Sequence, residues 1–364
     1  MLADIPPTRL RCSAARRGAK QTICSRTLTG YFGANEMKID FHSHVIPCEF
    51  LDALAAEPAG FTGVRVQIKD GERYLARDVI AIKLRSAYYD LDAKRAAMDR
   101  MGIDVAVISC GPPAYCYWLP AEQGVRAARL VNDGIANMLA AEPKRLRGMA
   151  TLPLQDVDAA MEELGRVAKL GVFRGVELAS SVEGVLISEP KFRPLLKRIE
   201  QLRLFVFVHP YQPSPKGGLD RYYLISSMGF PLDTSLLAAH LMAGGALDEL
   251  KTLRFILPHG GGFLPYLIGR LERAYHARPE PRANTNISPR EHLKRFVFDA
   301  LTHDPVAARC LIDTVGAERV VLGSDCPFDM EDAAPLASLE RVPGLTDAER
   351  RRIHSLNALE LLGE

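Results

Sequence analysis

Short, unbroken apolar runs recur along this chain with helix-period sequence between them, and several of the runs end on a histidine or an aspartate. The runs are residues 37–42, Val105-Ala106-Val107-Ile108, 148–151, 175–178, 204–208, 253–258, Phe296-Val297-Phe298-Asp299 and 320–324. Strands buried on both faces read as continuous hydrophobic segments, and their alternation with helices indicates a parallel sheet. Val157, Met161, Leu164 and Ala168 keep the helical period, as do Phe192, Leu195, Leu196, Ile199 and Leu202. About eight such strands predict an α/β protein, a (β/α)8 TIM barrel with C-terminal helices, a fold that needs about 250 residues or more. Residues 37–364 suffice for it.

The carboxyl ends of parallel barrel strands share one face, where such folds keep their chemistry. On that face the sequence puts His42 and His44 of Ile39-Asp40-Phe41-His42-Ser43-His44, His209 after Leu204-Phe205-Val206-Phe207-Val208, His259 before Gly260-Gly261-Gly262, and Asp325 after 320–324. Residues two apart in a strand point the same way, so His42 and His44 aim two imidazoles at one point. A lone His-x-His is as simply a core residue and a turn residue. Gathered with further imidazoles and a carboxylate, it suits one divalent transition metal, Zn²⁺ foremost, with Mn²⁺ or Fe²⁺ as the other candidates. Such a centre polarises a substrate or activates a water. After the fourth strand stands Glu177, which reads as a buried, hydrogen-bonded carboxylate near the ligands. The glycines after His259 lack Gly-x-Gly-x-x-Gly spacing, so no organic cofactor is expected.

Charge and composition narrow the partners. A formal net charge of +2 offers no attraction to nucleic acid or membrane, and no apolar run reaches the roughly 18 residues of a membrane span. Seven cysteines without a Cys-x-x-Cys pair favour reduced thiols and a cytoplasmic location over a disulfide framework. Cys326 reads as a small buried hydrophobe. Residues 1–36 carry Arg9, Arg11, Arg16, Arg17, Lys20 and Arg26 with almost no acid or apolar period; they read as a disordered extension upstream of a start at Met37.

Within residues 60–85, Val64, Val66 and Ile68 alternate with polar residues before Asp70-Gly71, which predicts a β-hairpin inserted after the first strand, over the barrel mouth. Arg85, just beyond, is a candidate to grip a substrate carboxylate. Its plainer role is a solvated or ion-paired arginine.

Taken together, Ile39-Asp40-Phe41-His42-Ser43-His44, Met98-Asp99-Arg100-Met101-Gly102-Ile103, Phe205-Val206-Phe207-Val208-His209-Pro210, His259-Gly260-Gly261-Gly262 and Gly323-Ser324-Asp325-Cys326-Pro327-Phe328 resemble the branch of the amidohydrolase superfamily that contains aminocarboxymuconate semialdehyde decarboxylase. The resemblance spans about Met37 to Leu362. It implies metal ligands at His42, His44, His209 and Asp325, a catalytic histidine at His259, and substrate-carboxylate arginines at Arg85 and Arg270. It also implies a homodimer in which Arg270 serves the neighbouring site. The expected activity is metal-dependent, non-oxidative decarboxylation of a small unsaturated or aromatic carboxylic acid; the alternative is a hydrolase or hydratase of an amide, lactone or enoate at the same centre. Pro112-Pro113-Ala114-Tyr115-Cys116-Tyr117-Trp118 is similar to the decarboxylase segment after strand two. The chain departs at Pro210-Tyr211-Gln212, where the decarboxylase usually continues Pro-Trp-Asp, and this leaves the substrate open.

Overall fold

The computed structural model describes residues 37–57, 60–77, 80–211 and 218–364, so the 1–36 extension lies outside the described residues. β1 (Ile39–Val45) opens the barrel and is followed by an insertion of β2 (Val64–Lys69), β3 (Glu72–Arg77) and β4 (Ile80–Lys83). Barrel strands β5 (Val105–Cys110), β6 (Leu146–Ala150) and β7 (Phe173–Ala179) precede a small ribbon, β8 (Ser181–Val182) and β9 (Val185–Leu186). β10 (Phe205–His209), β11 (Phe255–Leu257), β12 (Phe296–Asp299) and β13 (Val320–Val321) complete the set. Eight strands run parallel in the order β1-β5-β6-β7-β10-β11-β12-β13. The β1–β13 seam has no full ladder. An isolated bridge, Ser43 to Cys326, closes it with backbone bonds from Phe41 to Leu322 and from His44 to Cys326, both 2.8 Å.

Strand periodicity determines what fills the barrel. Val105 and Val107 of β5, Phe205 and Phe207 of β10, and Ile256 and Val321 point inward and pack with Ile39 and Phe41. The next inward positions along the same strands are Ser109 and His209. β1 needs an adjustment, because Phe41 and His42 are adjacent and yet both face the interior. The register shift between Asp40 and Ser43 supplies it. After that irregularity, His42 and His44 rise together above the hydrophobic layer, and His42 rests on Phe207 with ring centroids 4.9 Å apart.

The helices follow their sequence signals. Val157–Leu170 begins on Asp156, whose carboxylate accepts the Ala159 amide at 3.0 Å, and ends on Gly171 in the left-handed region. It buries Ala160, Leu164 and Val167 against the sheet. Arg193–Gln201 buries Leu195, Leu196 and Ile199. The insertion is larger than the expected hairpin: β2 and β3 pair across Asp70-Gly71, both with positive φ, and β4 adds a third antiparallel strand. Cys110, Cys116, Cys310 and Cys326 are free. Cys326 is buried, as expected. Among the described residues no helix is long and apolar enough to cross a membrane.

Candidate metal centre and the cavity above it

His42, His44, His209, His259 and Asp325 converge above the hydrophobic floor of the barrel. Nε2 of His42 lies 2.9 Å from Nε2 of His44, and these two nitrogens lie 3.3 and 3.2 Å from Oδ1 of Asp325. The His209 ring sits 5.0 Å from that of His44 and 5.2 Å from that of His259. One ligand atom from each of His42, His209, His259 and Asp325 falls within 4.8 Å of all the others. All five side chains named from the sequence therefore meet. The structure adds that His259 stands at ligand-like distance, with Nε2 3.7 Å from Oδ2 of Asp325.

Each imidazole is oriented from behind. His42 Nδ1 donates to Oδ2 of Asp299 at 2.7 Å, which turns Nε2 toward the centre. His209 Nδ1 donates to the Pro210 carbonyl at 2.9 Å, and its buried Nε2 has no protein partner. Nδ1 of His44 meets Ser109 Oγ at 3.2 Å. Nitrogen lone pairs and a carboxylate oxygen crowded into one dry pocket repel one another unless a cation or proton sits among them. That donor set fits a divalent transition metal.

The electrostatics agree. Burial would lower the His42 pKa, but the Asp325 and Asp299 carboxylates outweigh it and push the imidazole up to about 10. Burial lowers His44 to about 4, and burial with the neighbouring imidazoles holds His209 well below its usual range. Burial opposes ionisation of Asp325, yet His42, His259 and His44 keep it well below the ordinary carboxylate range. Two carboxylates thus favour positive charge at this cluster, carried by the His42 imidazole where no cation sits, while His44 and His209 stay neutral. Glu177 differs: burial lifts it to about 7, and it accepts from the Tyr115 hydroxyl and lies 3.8 Å from His44 Nδ1. It is the buried, hydrogen-bonded carboxylate expected at that strand.

Backbone geometry makes the convergence possible. His259 and Asp325 take left-handed conformations with φ of 54° and 60°, uncommon for residues other than glycine. Gly323 is required by contact: a Cβ there would come within 2.9 Å of Asp299 Cβ and 3.0 Å of His42 Cβ. The amide after His259 does face an anion, but a protein one, since Gly260 donates to Asp299 Oδ1 at 2.8 Å. On the other side of the seam, the fully buried Lys94 ammonium donates to the carbonyls of His44 (2.9 Å) and Cys326 (3.3 Å).

Asp299 and Ser109 contact the clustered histidines and Lys94 the strand ends beside them, and motif reading missed all three. A signal existed for two of them. Asp299 closes the run 296–299 two residues after inward-facing Val297, and Ser109 follows Val107 in the same phase. Lys94 sits on the helix Leu91–Met101, and nothing in its sequence neighbourhood announces burial.

A cavity of about 1110 Å³ opens above His209, His259 and Asp325. Its walls are aromatic, with Tyr88, Trp118, Tyr211, Phe230, Phe263 and Phe328, and the insertion roofs it with Tyr74 to Arg77. Arg85, expected at the substrate, does not line this cavity, and neither does Arg270, which was expected to serve the neighbouring chain's site. Arg85 is bound at the rim by the Phe328 carbonyl, Glu331 and Asp329 at 3.0–3.2 Å. Arg270 is exposed on the helix Leu264–Ala277, with no ion pair among the described residues, and does not pair with Glu272, which holds the Arg290 amide.

Comparison with known proteins agrees with this arrangement. The amidohydrolase family model matches residues 39–363. The chain is 31% identical to the 2-amino-3-carboxymuconate-6-semialdehyde decarboxylase of Dictyostelium discoideum over 90% of its own length and 92% of the relative's. It is 30% identical to the gamma-resorcylate decarboxylase of a Rhizobium species over 74% of this chain and 86% of that one. The crystal structure of Metarhizium anisopliae IDCase superposes with a TM-score of 0.78 at 25% identity, covering 91% of this chain and 98% of that chain. The chain belongs to the amidohydrolase family, in the branch populated by metal-dependent decarboxylases.

Proposed function

We propose that this chain removes carbon dioxide, without an oxidant, from a small planar unsaturated or aromatic carboxylic acid, in the manner of aminocarboxymuconate semialdehyde decarboxylase. The observation that carries the reading is the set of His42, His44, His209 and Asp325 at the base of an aromatic-walled cavity, with His259 the accessible member of the cluster at 17% side-chain exposure. These four ligands would hold one divalent metal, zinc by the preference of three imidazoles and a carboxylate, and manganese or iron by the same donors. Bound there, the metal supplies Lewis-acid polarisation of the substrate's oxygen atoms. No organic cofactor enters. When the carbon–carbon bond breaks, its electron pair stays on the substrate carbon, which takes up one proton, so carboxylate and proton become carbon dioxide and a product with hydrogen in place of the carboxylate. His259 Nε2 delivers that proton from the cavity floor, and the aromatic walls exclude water and keep the substrate flat against the site.

The substrate's carboxylate needs cations. In this reading Arg85 exchanges Asp329 and Glu331 for it, and Arg270 reaches the cavity of a second copy. Tyr266, on the same helix as Arg270, is 83% exposed, and Tyr222 near the mouth is 86% exposed, which supports a covered face there. A cytoplasmic location belongs to the same reading and is supported by the free thiols. The hydrolase or hydratase alternative is not favoured, because the relatives that match are decarboxylases.

The test is carbon dioxide release from the metal-loaded protein, screened against muconate, benzoate and lactone acids. Release from a muconate or benzoate acid is the expected result. Lactone opening or hydration of an enoate without carbon dioxide would replace this reading with the alternative.

A further inference from the structure

The clustered ligands stand on both sides of the barrel joint that lacks a full ladder. His42 and His44 lie on β1, Asp325 follows β13, and their ligand atoms are 3.2–3.3 Å apart across the seam. Two buried side chains span the same joint. Asp40 of β1 accepts the Ser324 amide at 3.0 Å on Oδ1 and the Ser324 hydroxyl at 2.6 Å on Oδ2, and the His42 amide shares Oδ1 at 3.0 Å. Further along both segments, the Lys94 ammonium donates to the His44 carbonyl at 2.9 Å and to the Cys326 carbonyl at 3.3 Å. Both side chains are fully buried.

An ammonium persists in a dry site only when its donors are satisfied and its charge is balanced. The Asp40 carboxylate on the same seam supplies the opposite charge. The helix Leu91–Met101 brings Lys94 there in its first turn. Asp90 caps that helix by accepting the Ala93 amide at 2.8 Å, and the Tyr88 carbonyl just before it takes the Ile46 amide at 2.8 Å, which ties the helix start to the end of β1. An apolar side chain of like volume would fill the same space without the desolvation cost. It could not hold the two carbonyls together, and one of them belongs to His44 while the other directly follows Asp325. Asp325 keeps a φ of 60°, a conformation that a residue other than glycine holds only where its surroundings enforce it.

We propose that Lys94 is a positioning residue for the metal centre: with the clasp of Asp40 on Ser324, it fixes the spacing between the β1 imidazoles and the Asp325 carboxylate, and so sets the affinity and coordination geometry of the metal they hold. The inference rests on the four-ligand centre and not on which reaction that centre performs. Asp299 and Ser109 each orient a single imidazole, whereas Lys94 acts through the backbone on both sides of the joint. Its loss leaves every ligand in the chain and relaxes the distance between them.

The full-length protein is loaded with cobalt(II), whose visible absorption reports coordination geometry, and its affinity is measured by competition with a chelator. Lys94→Met should alter the spectrum and weaken cobalt binding roughly 10- to 100-fold, the range for residues behind metal ligands. Lys94→Arg, whose guanidinium can donate to both carbonyls, should restore the spectrum and most of the affinity. Ser324→Ala loosens the clasp while keeping Lys94, and should shift both readings in the same direction by less; it carries the test if Lys94→Met does not fold. Thr346→Ala is the control for stability alone, since it should lower the melting temperature and leave the wild-type spectrum. A wild-type spectrum and affinity in Lys94→Met, or in Ser324→Ala where only that variant folds, overturn the proposal, as does a Lys94→Arg variant no better than Lys94→Met. A wild type that binds no cobalt removes the four-ligand centre and this inference together. Cobalt bound tightly and alike by wild type and variants removes this inference alone.

Discussion

A metal centre of this kind depends on the residues behind the ligands as much as on the ligands. Asp299 accepts from His42 Nδ1 at 2.7 Å and from the Gly260 amide, so one carboxylate orients a ligand and the turn that presents His259. Asp299→Ala should weaken metal binding by roughly 10- to 100-fold, measured by competition with a chelator; unchanged affinity would mean that Asp299 merely fills space. His44→Ala should lose most of the metal on elemental analysis. His259→Ala should retain it and lose activity by a factor on the order of 10² to 10⁴, as for a general acid or base. If the His259 variant comes out metal-free, the histidine is a ligand and its assignment to proton transfer fails.

At the scale of elements, the C-terminal helices plug the end of the barrel opposite the site. Ala358, Leu359 and Leu362 join the interior cluster of Phe41 and Phe205. The short helix Asp347–Arg351 starts with a capping box, Thr346 and Glu349 exchanging side-chain and backbone bonds. Glu349 also takes a bond from Arg309 at 2.9 Å, which ties this helix to Pro305–Val315. The Arg309 contact, followed by the Thr346 amide, draws the Glu349 carboxyl down from 4.5 to about 2. A depressed acid stabilises the fold fully above its unfolded pKa and loses that contribution as pH falls through the folded one. Glu349 should therefore add stability above about pH 4.5 that is gone near pH 2. Both partners are partly exposed, so the gain is modest, at most about 1 kcal/mol after solvent screening. Thermal melts of Glu349→Gln across that window should show a shallower acid dependence than the parent, and parallel curves would refute the assignment. Thr346→Ala should cost about 1 kcal/mol at neutral pH.

At the scale of the whole molecule, the mouth of the barrel presents an exposed apolar face. Tyr222, Tyr223, Ile225 and Met228 are exposed in the segment before the helix Phe230–Ala243, and Tyr266 and Leu267 are exposed on the helix that carries Arg270. If a second copy covers this face, Arg270 leaves solvent and enters the partner's site. Light scattering should then give a dimer. Mixing Arg270→Ala chains with His259→Ala chains, each inactive alone, should restore part of the activity, because one of the two shared sites in the mixed dimer is intact. No recovery under exchange conditions, or a fully active monomer, would confine Arg270 to its own chain.

Much of this was legible before any coordinate. Apolar runs of strand length and helix-period spacers carry the barrel because burial on both faces leaves no alternation to disguise them. His42, His44, His209, His259 and Asp325 are legible because each closes such a run, and the parallel topology brings every strand's carboxyl end to one face. What the tertiary structure alone decided are contacts between segments far apart in the chain. The β1 irregularity that turns His42 inward, the pairing of Asp299 with His42 across 257 residues, and the Lys94 ammonium between two strand ends have no local pattern. The same holds for cations. Arg85 is occupied by acids from the loop after β13, while Arg77, on an alternating strand that looked like ordinary hairpin, reaches Trp118 and the cavity. A long charged side chain goes where partners and shape take it, and those are properties of the folded molecule, not of the neighbouring residues in the chain.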